Sequence, residues 1–364
     1  MFEFQIRKAD IRQHRVIPID AAADESGLTD GEVLVRVERF AFTANNITYA
    51  TMADRLGYWQ FFPPAGDDAD GWGVIPVWGF ACVIASRAGD IPVGDRLYGY
   101  FPPATCLIMK PVGIKPQRLI DGAAHRSQLP AAYNSYSRVA AEPGYDRAMD
   151  DERMLLWPLH ITSFFLWDVL QDRQWHGARQ VVIVSASSKT SIGLAYALNV
   201  DVDAPVAVGV TSASNLDFVE NLGLYERTVA YDALTDIDAD IPAVIVDMSG
   251  NVDVLGHLHA HLGENMRRCI NVGLTHGSET GMGEGVIAER SEFFFAPSHI
   301  QKRVKEWGAD DFGHRTSTFL RDATVATRDW LTLKTIDGLT GLAEVYPEVC
   351  AGRIPADQGL IVKL

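Results

Sequence analysis

Residues 180–199 read QVVIVSASSKTSIGLAYALN. Val181–Val184 is an unbroken apolar run, the mark of a strand buried on both faces. A turn of small residues from Ser185 to Ser191 follows, and then Ile192, Leu194, Ala195 and Leu198 fall on one helical face. A second apolar run, Pro205 to Val210, closes on Thr211-Ser212 and leads into another helical stretch that stops at Gly223. Strand, tight loop, helix and strand make a βαβ unit of the dinucleotide-binding kind. In such a unit the first helix aims its N–H groups at the pyrophosphate, and the end of the second strand reads the adenosine ribose.

The turn departs from the usual glycine fingerprint. Only Gly193 stands, where helix and strand are expected to pack closely, and Ser188, Lys189, Thr190 and Ser191 fill the rest. Hydroxyls can hydrogen-bond phosphate and Lys189 adds positive charge beside the helix terminus; an ordinary βα turn is the competing reading. NAD sites usually end the second strand with an acid, which holds the ribose hydroxyls and repels a 2′-phosphate. Here Val210, Thr211 and Ser212 carry none and the first acid is Asp217, which favours NADP, with Thr211, Ser212 and Lys189 directed to the extra phosphate.

A chain of 364 residues suggests two domains. Its net charge of −15 disfavours nucleic acid and anionic membranes as partners. Cys82, Cys106, Cys269 and Cys350 are too scattered for a zinc site and suit a reducing cytoplasm. MFEFQIRKADIRQHR has no apolar core of signal-peptide length, and no stretch approaches the roughly 20 apolar residues of a membrane span. A cytoplasmic location is the expectation.

Residues 1–150 read as β-rich. Val33, Val35 and Val37 recur at period two, with Glu32, Arg36 and Glu38 among their neighbours, VIPVWGFACVIAS and IPVGDRLYGYFP read as further strands, and Tyr133 to Val139 as a short one. Between them lies an aromatic, amide-rich segment, FTANNITYATMADRLGYWQFFPP, expected as a loop or short helix. Helical spacing begins near Asp150, with Pro158 expected to limit the first turns. Asp240–Asn251 and Arg267–Gly277 supply further strands and Val252–Leu262 a helix, so strands alternate with helices as in a parallel sheet. A helix is expected over Thr316–Thr332 and a strand-like run over 333–355. The implied division is a β-rich substrate domain of residues 1–150 and 300–364 around a sheet domain of residues 151–299.

The order of these parts resembles the medium-chain dehydrogenase/reductase superfamily along almost the whole chain. The resemblance is carried by GEVLVRVERFAFTANNITYA (31–50), VWGFACVIAS (77–86), VGDRLYGY (93–100), VVIVSASSKTSIG (181–193), VTSASNLDFVENLG (210–223), VIVDMSG (244–250), CINVGLTHG (269–277) and the ending AGRIPADQGLIVKL. TANNITYA, YWQFFPP, PVWGF and SASSKTSIG together look like the DUF2855 group. The resemblance implies an α/β fold: a doubly wound parallel-sheet (Rossmann) nucleotide-binding domain plus a β-rich GroES-like substrate domain. It also implies an oxidoreductase acting on a small molecule, with a homodimer as a family-level possibility. Zinc-dependent members carry a cysteine in the substrate loop and a His-Glu pair on the glycine strand. Here Ala44 and Asn45 occupy the first place and PVWGF lacks the second, so the expected chemistry is metal-free, as in the quinone and enoyl reductase branches.

Those branches polarise a carbonyl with a hydrogen-bond donor. Tyr58 is the expected donor, with packing of the hydrophobic loop as its alternative. Tyr49 and Asn46 come next, the asparagine also being at home in a turn. His276 follows the strand expected to pass the nicotinamide, and Thr162, Ser187, Tyr231 and Gly273 join the expected cofactor contacts. The aromatic loop implies a mostly apolar substrate reduced at an activated alkene or a carbonyl. A nicotinamide-nucleotide-binding protein without turnover is the reading from another class.

Overall fold

The computed structural model describes residues 1–19, 25–272, 285–294 and 296–364. The chain forms two compact units, Met1–Leu155 with Thr332–Leu364, and Leu156–Leu331.

The second unit is built on a six-stranded sheet in the order Arg227–Ala230, Val206–Thr211, Gln180–Val184, Ala243–Asp247, Met266–Val272, Ser291–Phe294. Every neighbouring pair is parallel. Numbered along the chain this order is 3-2-1-4-5-6, the Rossmann arrangement, whose switch point lies between the first and fourth strands. Period-two geometry splits each strand between two cores. Val182, Val184, Val210 and Ile245 pack with Leu255 and Leu258 of the helix Val252–Leu262. Val181, Ile183, Val244 and Val246 face the other way, onto Leu166, Leu170, Leu194 and Leu198. Those four leucines come from the helices Asp150–Asp172 and Lys189–Val200.

Two expectations change here. Pro158 lies inside the 23-residue helix Asp150–Asp172 without ending it. The return to the first unit comes at Thr332 and not near residue 300, because the helices Ala296–Trp307 and Ala309–Ala326 belong to the second unit. Buried Asp168 accepts a hydrogen bond from Arg303 Nε at 2.6 Å and lies 2.6 Å from His299 Nε2, while Phe312 stacks on Phe165 at 5.7 Å.

The first unit contains a nine-stranded sheet. Its middle is antiparallel, with Gln358–Lys363 against Val33–Phe42, then Val77–Ser86, then Arg96–Phe101. Thr332–Asp337 pairs parallel to Gln358–Lys363 on the other side. A three-stranded sheet of Asp10–Pro18, Phe2–Arg7 and Trp72–Gly73 completes the unit's β-structure. The aromatic, amide-rich segment forms the helices Ala44–Thr51 and Ala53–Leu56. Much of the run expected to be strand-like is instead the helix Gly338–Cys350, whose buried Leu339, Leu342, Tyr346 and Val349 keep helical spacing.

Candidate functional site

The loop after the first strand of the parallel sheet is held by hydroxyls. Ser185 stands at φ +66°, a left-handed conformation that favours glycine, and its cost is met by local bonds. Its carbonyl accepts the Ser188 N–H at 2.9 Å, and its side chain hydrogen-bonds with Tyr231. Ser188 then caps the helix Lys189–Val200: its Oγ accepts the Ser191 N–H at 3.2 Å and donates to Ser191 Oγ at 2.8 Å. The Tyr225 hydroxyl pins the Ala186 carbonyl at 2.8 Å.

Hydroxyls and an amide also join this loop to the end of the second strand. Ser187 Oγ accepts from Asn215 Nδ2 at 3.1 Å and from Thr211 Oγ1 at 3.4 Å, and Ser212 Oγ lies 3.0 Å from Ser214 Oγ. None of these groups is acidic, and Asp217 stands beyond them on the exposed side of the short helix Leu216–Asn221.

At the switch point Val184 is in register with Asp247. Asp247 is buried, which pushes its pKa up, while hydrogen bonds from Ser249 N–H (2.9 Å), Ser249 Oγ (2.7 Å) and Gly250 N–H (3.2 Å) pull it back. Next to it Met248 accepts the Ser191 hydroxyl on its sulfur at 3.1 Å, so the loops after the first and fourth strands touch.

Behind the loop, the helix Lys189–Val200 presses on the helix Asp150–Asp172 at Gly193. A Cβ there would lie 2.6 Å from Ser163 Oγ and 2.7 Å from His160 Cδ2. The glycine thus permits helix-to-helix contact, in place of the expected packing on a strand. Ser163 Oγ donates to the Thr190 carbonyl at 2.7 Å. His160 is 1% exposed and burial lowers its pKa to about 4, so the ring is neutral at physiological pH. Neither ring nitrogen makes a well-formed hydrogen bond.

In the first unit, Tyr49, Tyr58, Phe61, Trp78, Tyr100 and Tyr133 form one aromatic nest. Ring centroids lie 4.7 Å apart for Tyr49 and Tyr58, 4.8 Å for Tyr100 and Tyr133, and 5.1 Å for Trp78 and Tyr100. The Tyr58 and Tyr133 hydroxyls are 3.2 Å apart, and Trp78 Nε1 donates to the Tyr49 oxygen at 3.4 Å. Tyr100 is fully buried and its hydroxyl makes no hydrogen bond. Desolvation raises the pKa of each of these phenols, which keeps them protonated donors.

The family model described as "Protein of unknown function (DUF2855)" matches residues 40–355. The chain belongs to the DUF2855 family. No curated protein matches it in sequence. Among solved structures, CurA from Vibrio vulnificus in complex with NADPH has a TM-score of 0.62 at 13% identity, over 100% of this chain and 99% of that one. Mycobacterial Rv1454c complexed with NADPH has a TM-score of 0.60 at 11% identity, over 100% of both chains. The yhdH oxidoreductase from Salmonella enterica in complex with NADP has a TM-score of 0.55 at 13% identity, again over 100% of both. The likeness is one of fold, a Rossmann unit together with a β-rich unit.

In this DUF2855 chain the expected nucleotide residues Ser187, Ser188, Lys189, Thr190, Ser191, Thr211, Ser212 and Tyr231 all fall on the loop, the start of its helix and the facing strand ends. Gly193 lies behind them. Thr162 is half-buried, and it is its neighbour Ser163 that bonds to the Thr190 carbonyl. Gly273 and His276 lie outside the described residues. Tyr58 and Tyr49 share the nest, whereas Asn46 is held elsewhere. Its Oδ1 accepts the Thr43 N–H at 2.8 Å in a capping box and its Nδ2 donates to the Pro76 carbonyl at 2.9 Å, so the amide starts and anchors the helix Ala44–Thr51. Asn215, Tyr225, Ser163, His160, Met248, Tyr100 and Tyr133 were not anticipated. Among the described residues, no three His, Cys, Asp or Glu side chains gather as metal ligands, and no helix is long and apolar enough to cross a membrane.

Proposed function

We propose that this chain is an NADPH-dependent oxidoreductase that reduces an activated alkene or a carbonyl of a small, mostly apolar molecule without a metal. The observation that carries the reading is the acid-free set Thr211, Ser212 and Asn215 at and just after the end of the second strand, joined to Ser187 of the first loop, beside the switch point of a 3-2-1-4-5-6 sheet. NADPH or NADP bound to proteins of the same fold supports it.

The residues fit the cofactor's phosphates. The helix Lys189–Val200 offers its positive end, Ser188 offers a hydroxyl at its cap, and Lys189 adds charge. Thr211 and Ser212 would face the 2′-phosphate with no carboxylate to repel it. Bound nicotinamide supplies a hydride. Tyr58 donates a hydrogen bond, and then its proton, to the substrate oxygen that gains negative charge; Tyr49 and Trp78 give the flat apolar surface beside it. The metal-free reading rests on Ala44, Asn45 and PVWGF, which stand where zinc-dependent relatives carry ligands.

The test is a fluorescence titration with NADPH and with NADH, followed by a screen of enones, quinones and aldehydes for loss of reduced-nicotinamide absorbance. NADPH should bind at least about tenfold more tightly than NADH, a difference of about 1.4 kcal/mol. If neither nucleotide binds, the oxidoreductase reading is wrong.

A further inference from the structure

Tyr133 belongs to the short turn Ala131–Asn134, and its ring meets four others in the nest. Centroid distances are 4.8 Å to Tyr100, 5.4 Å to Phe61, 5.9 Å to Tyr58 and 6.1 Å to Trp78. Its hydroxyl lies 3.2 Å from that of Tyr58. Two phenols so placed carry two protons and spend one on each other, which leaves one O–H to point outward. Tyr58 is 6% exposed and Tyr133 is half-buried, so an outward proton has few partners apart from a bound molecule. Either hydroxyl can donate to the other, and when Tyr133 donates the proton left to point outward is that of Tyr58.

We propose that Tyr133 is the positioning residue for Tyr58, the two hydroxyls forming a coupled donor for one carbonyl oxygen of a flat, unsaturated substrate. Tyr133 donates to the Tyr58 oxygen and so turns the Tyr58 proton toward the substrate. As the substrate O–H bond forms, the Tyr58 O–H bond breaks and its electron pair stays on the Tyr58 oxygen. The Tyr133 O–H then stabilises that charge, and the chain of bonds polarises as one unit. This rests on Tyr58 being the donor of the proposed reaction, but the pairing itself can be tested without cofactor.

The probe is para-nitrophenol, whose absorption band moves when its oxygen is hydrogen-bonded. It is titrated into wild type, Tyr58→Phe, Tyr133→Phe and the double variant, each first shown to keep wild-type thermal stability and NADPH affinity. Each single variant should weaken probe binding about tenfold, and the double variant no further than the weaker single, since groups acting as a unit do not add. With NADPH and cyclohexenone, Tyr133→Phe should lower kcat about tenfold and leave KM nearly unchanged, the pattern of an interaction made in the transition state. The proposal is overturned if wild type does not take up the probe, if Tyr133→Phe binds it as wild type does, or if the two single effects multiply. Coupled probe binding without NADPH oxidation would instead keep the pair and remove the oxidoreductase reading.

Discussion

Gly193→Ala tests the site at the point where its scaffold is tightest. In an ordinary helix interior the change would stabilise by about 1 kcal/mol. Here the new methyl would lie 2.6 Å from Ser163 Oγ, 2.7 Å from His160 Cδ2 and 3.1 Å from Ser163 Cβ. Forcing extra volume into a packed contact costs about 1–3 kcal/mol. If Ser163 turns away, its 2.7 Å bond to the Thr190 carbonyl is lost as well, at about 1 kcal/mol. Taking the middle of these ranges, the net loss is about 2 kcal/mol. Because the helix that must shift carries Ser188 at its cap and Ser191 in its first turn, NADPH affinity should fall with stability. The companion Gly193→Ala/Ser163→Ala removes the nearest contact but keeps that with His160, and should recover about 1 kcal/mol. Urea unfolding gives the stability and a fluorescence titration the affinity. A Gly193→Ala protein as stable as wild type, with unchanged NADPH binding, would refute the claim that this contact holds the loop.

Ser212→Asp places a carboxylate where the 2′-phosphate is expected. It should weaken NADPH about tenfold, about 1.4 kcal/mol, and NADH less; equal weakening in parallel titrations would count against the assignment. Asp168→Ala leaves the buried guanidinium of Arg303 with only Asp172 and Glu306, so the loss should fall at the low end of the range for a broken buried pair, about 3 kcal/mol in urea unfolding. A loss under about 1 kcal/mol would place the pair with surface bridges. His160 has a pKa of about 4 against an ordinary 6.5, so below pH 6.5 the unfolded chain takes up the proton and the folded chain does not. Stability should therefore fall as the pH drops from 6.5 toward 4, by up to about 3 kcal/mol from this residue. His160→Phe should flatten that limb in unfolding curves taken across the range, and an unchanged slope would show that the ring gains a proton without unfolding.

What could be read from the chain was what local spacing records. Val181–Val184, the helix Val252–Leu262 and the acid-free ending at Thr211 needed only period and composition. The role of Asn46 was also legible, since Thr43 three residues before it is a capping-box spacing. Helical spacing likewise separates Ser163 from Thr162: His160 and Ser163 are three residues apart and share the face that Gly193 meets, while Thr162 points about 100° away. Gly338, Gly341 and Pro347 disguised a helix whose apolar residues kept its period. Other features are not local. Met248 reaches Ser191 only because the sheet sets the fourth strand beside the first, and Tyr133 reaches Tyr58 only because the chain between them folds back. No window of sequence contains both partners of either contact.

The strand Gln358–Lys363 lies between Val33–Phe42 and Thr332–Asp337, with Leu360, Ile361 and Val362 buried. The ribosome makes it only after every residue of the second unit. During synthesis, then, the parallel sheet of the second unit can form while the edge Arg39–Phe42 still waits for a partner that begins at Leu360. For that interval an apolar strand edge is open to pairing with other chains, the usual route to aggregation of a nascent protein. Yield during expression should therefore respond to chaperone supply and to the elongation rate between the codons for Thr332 and Lys363 more than to the stability of the finished protein.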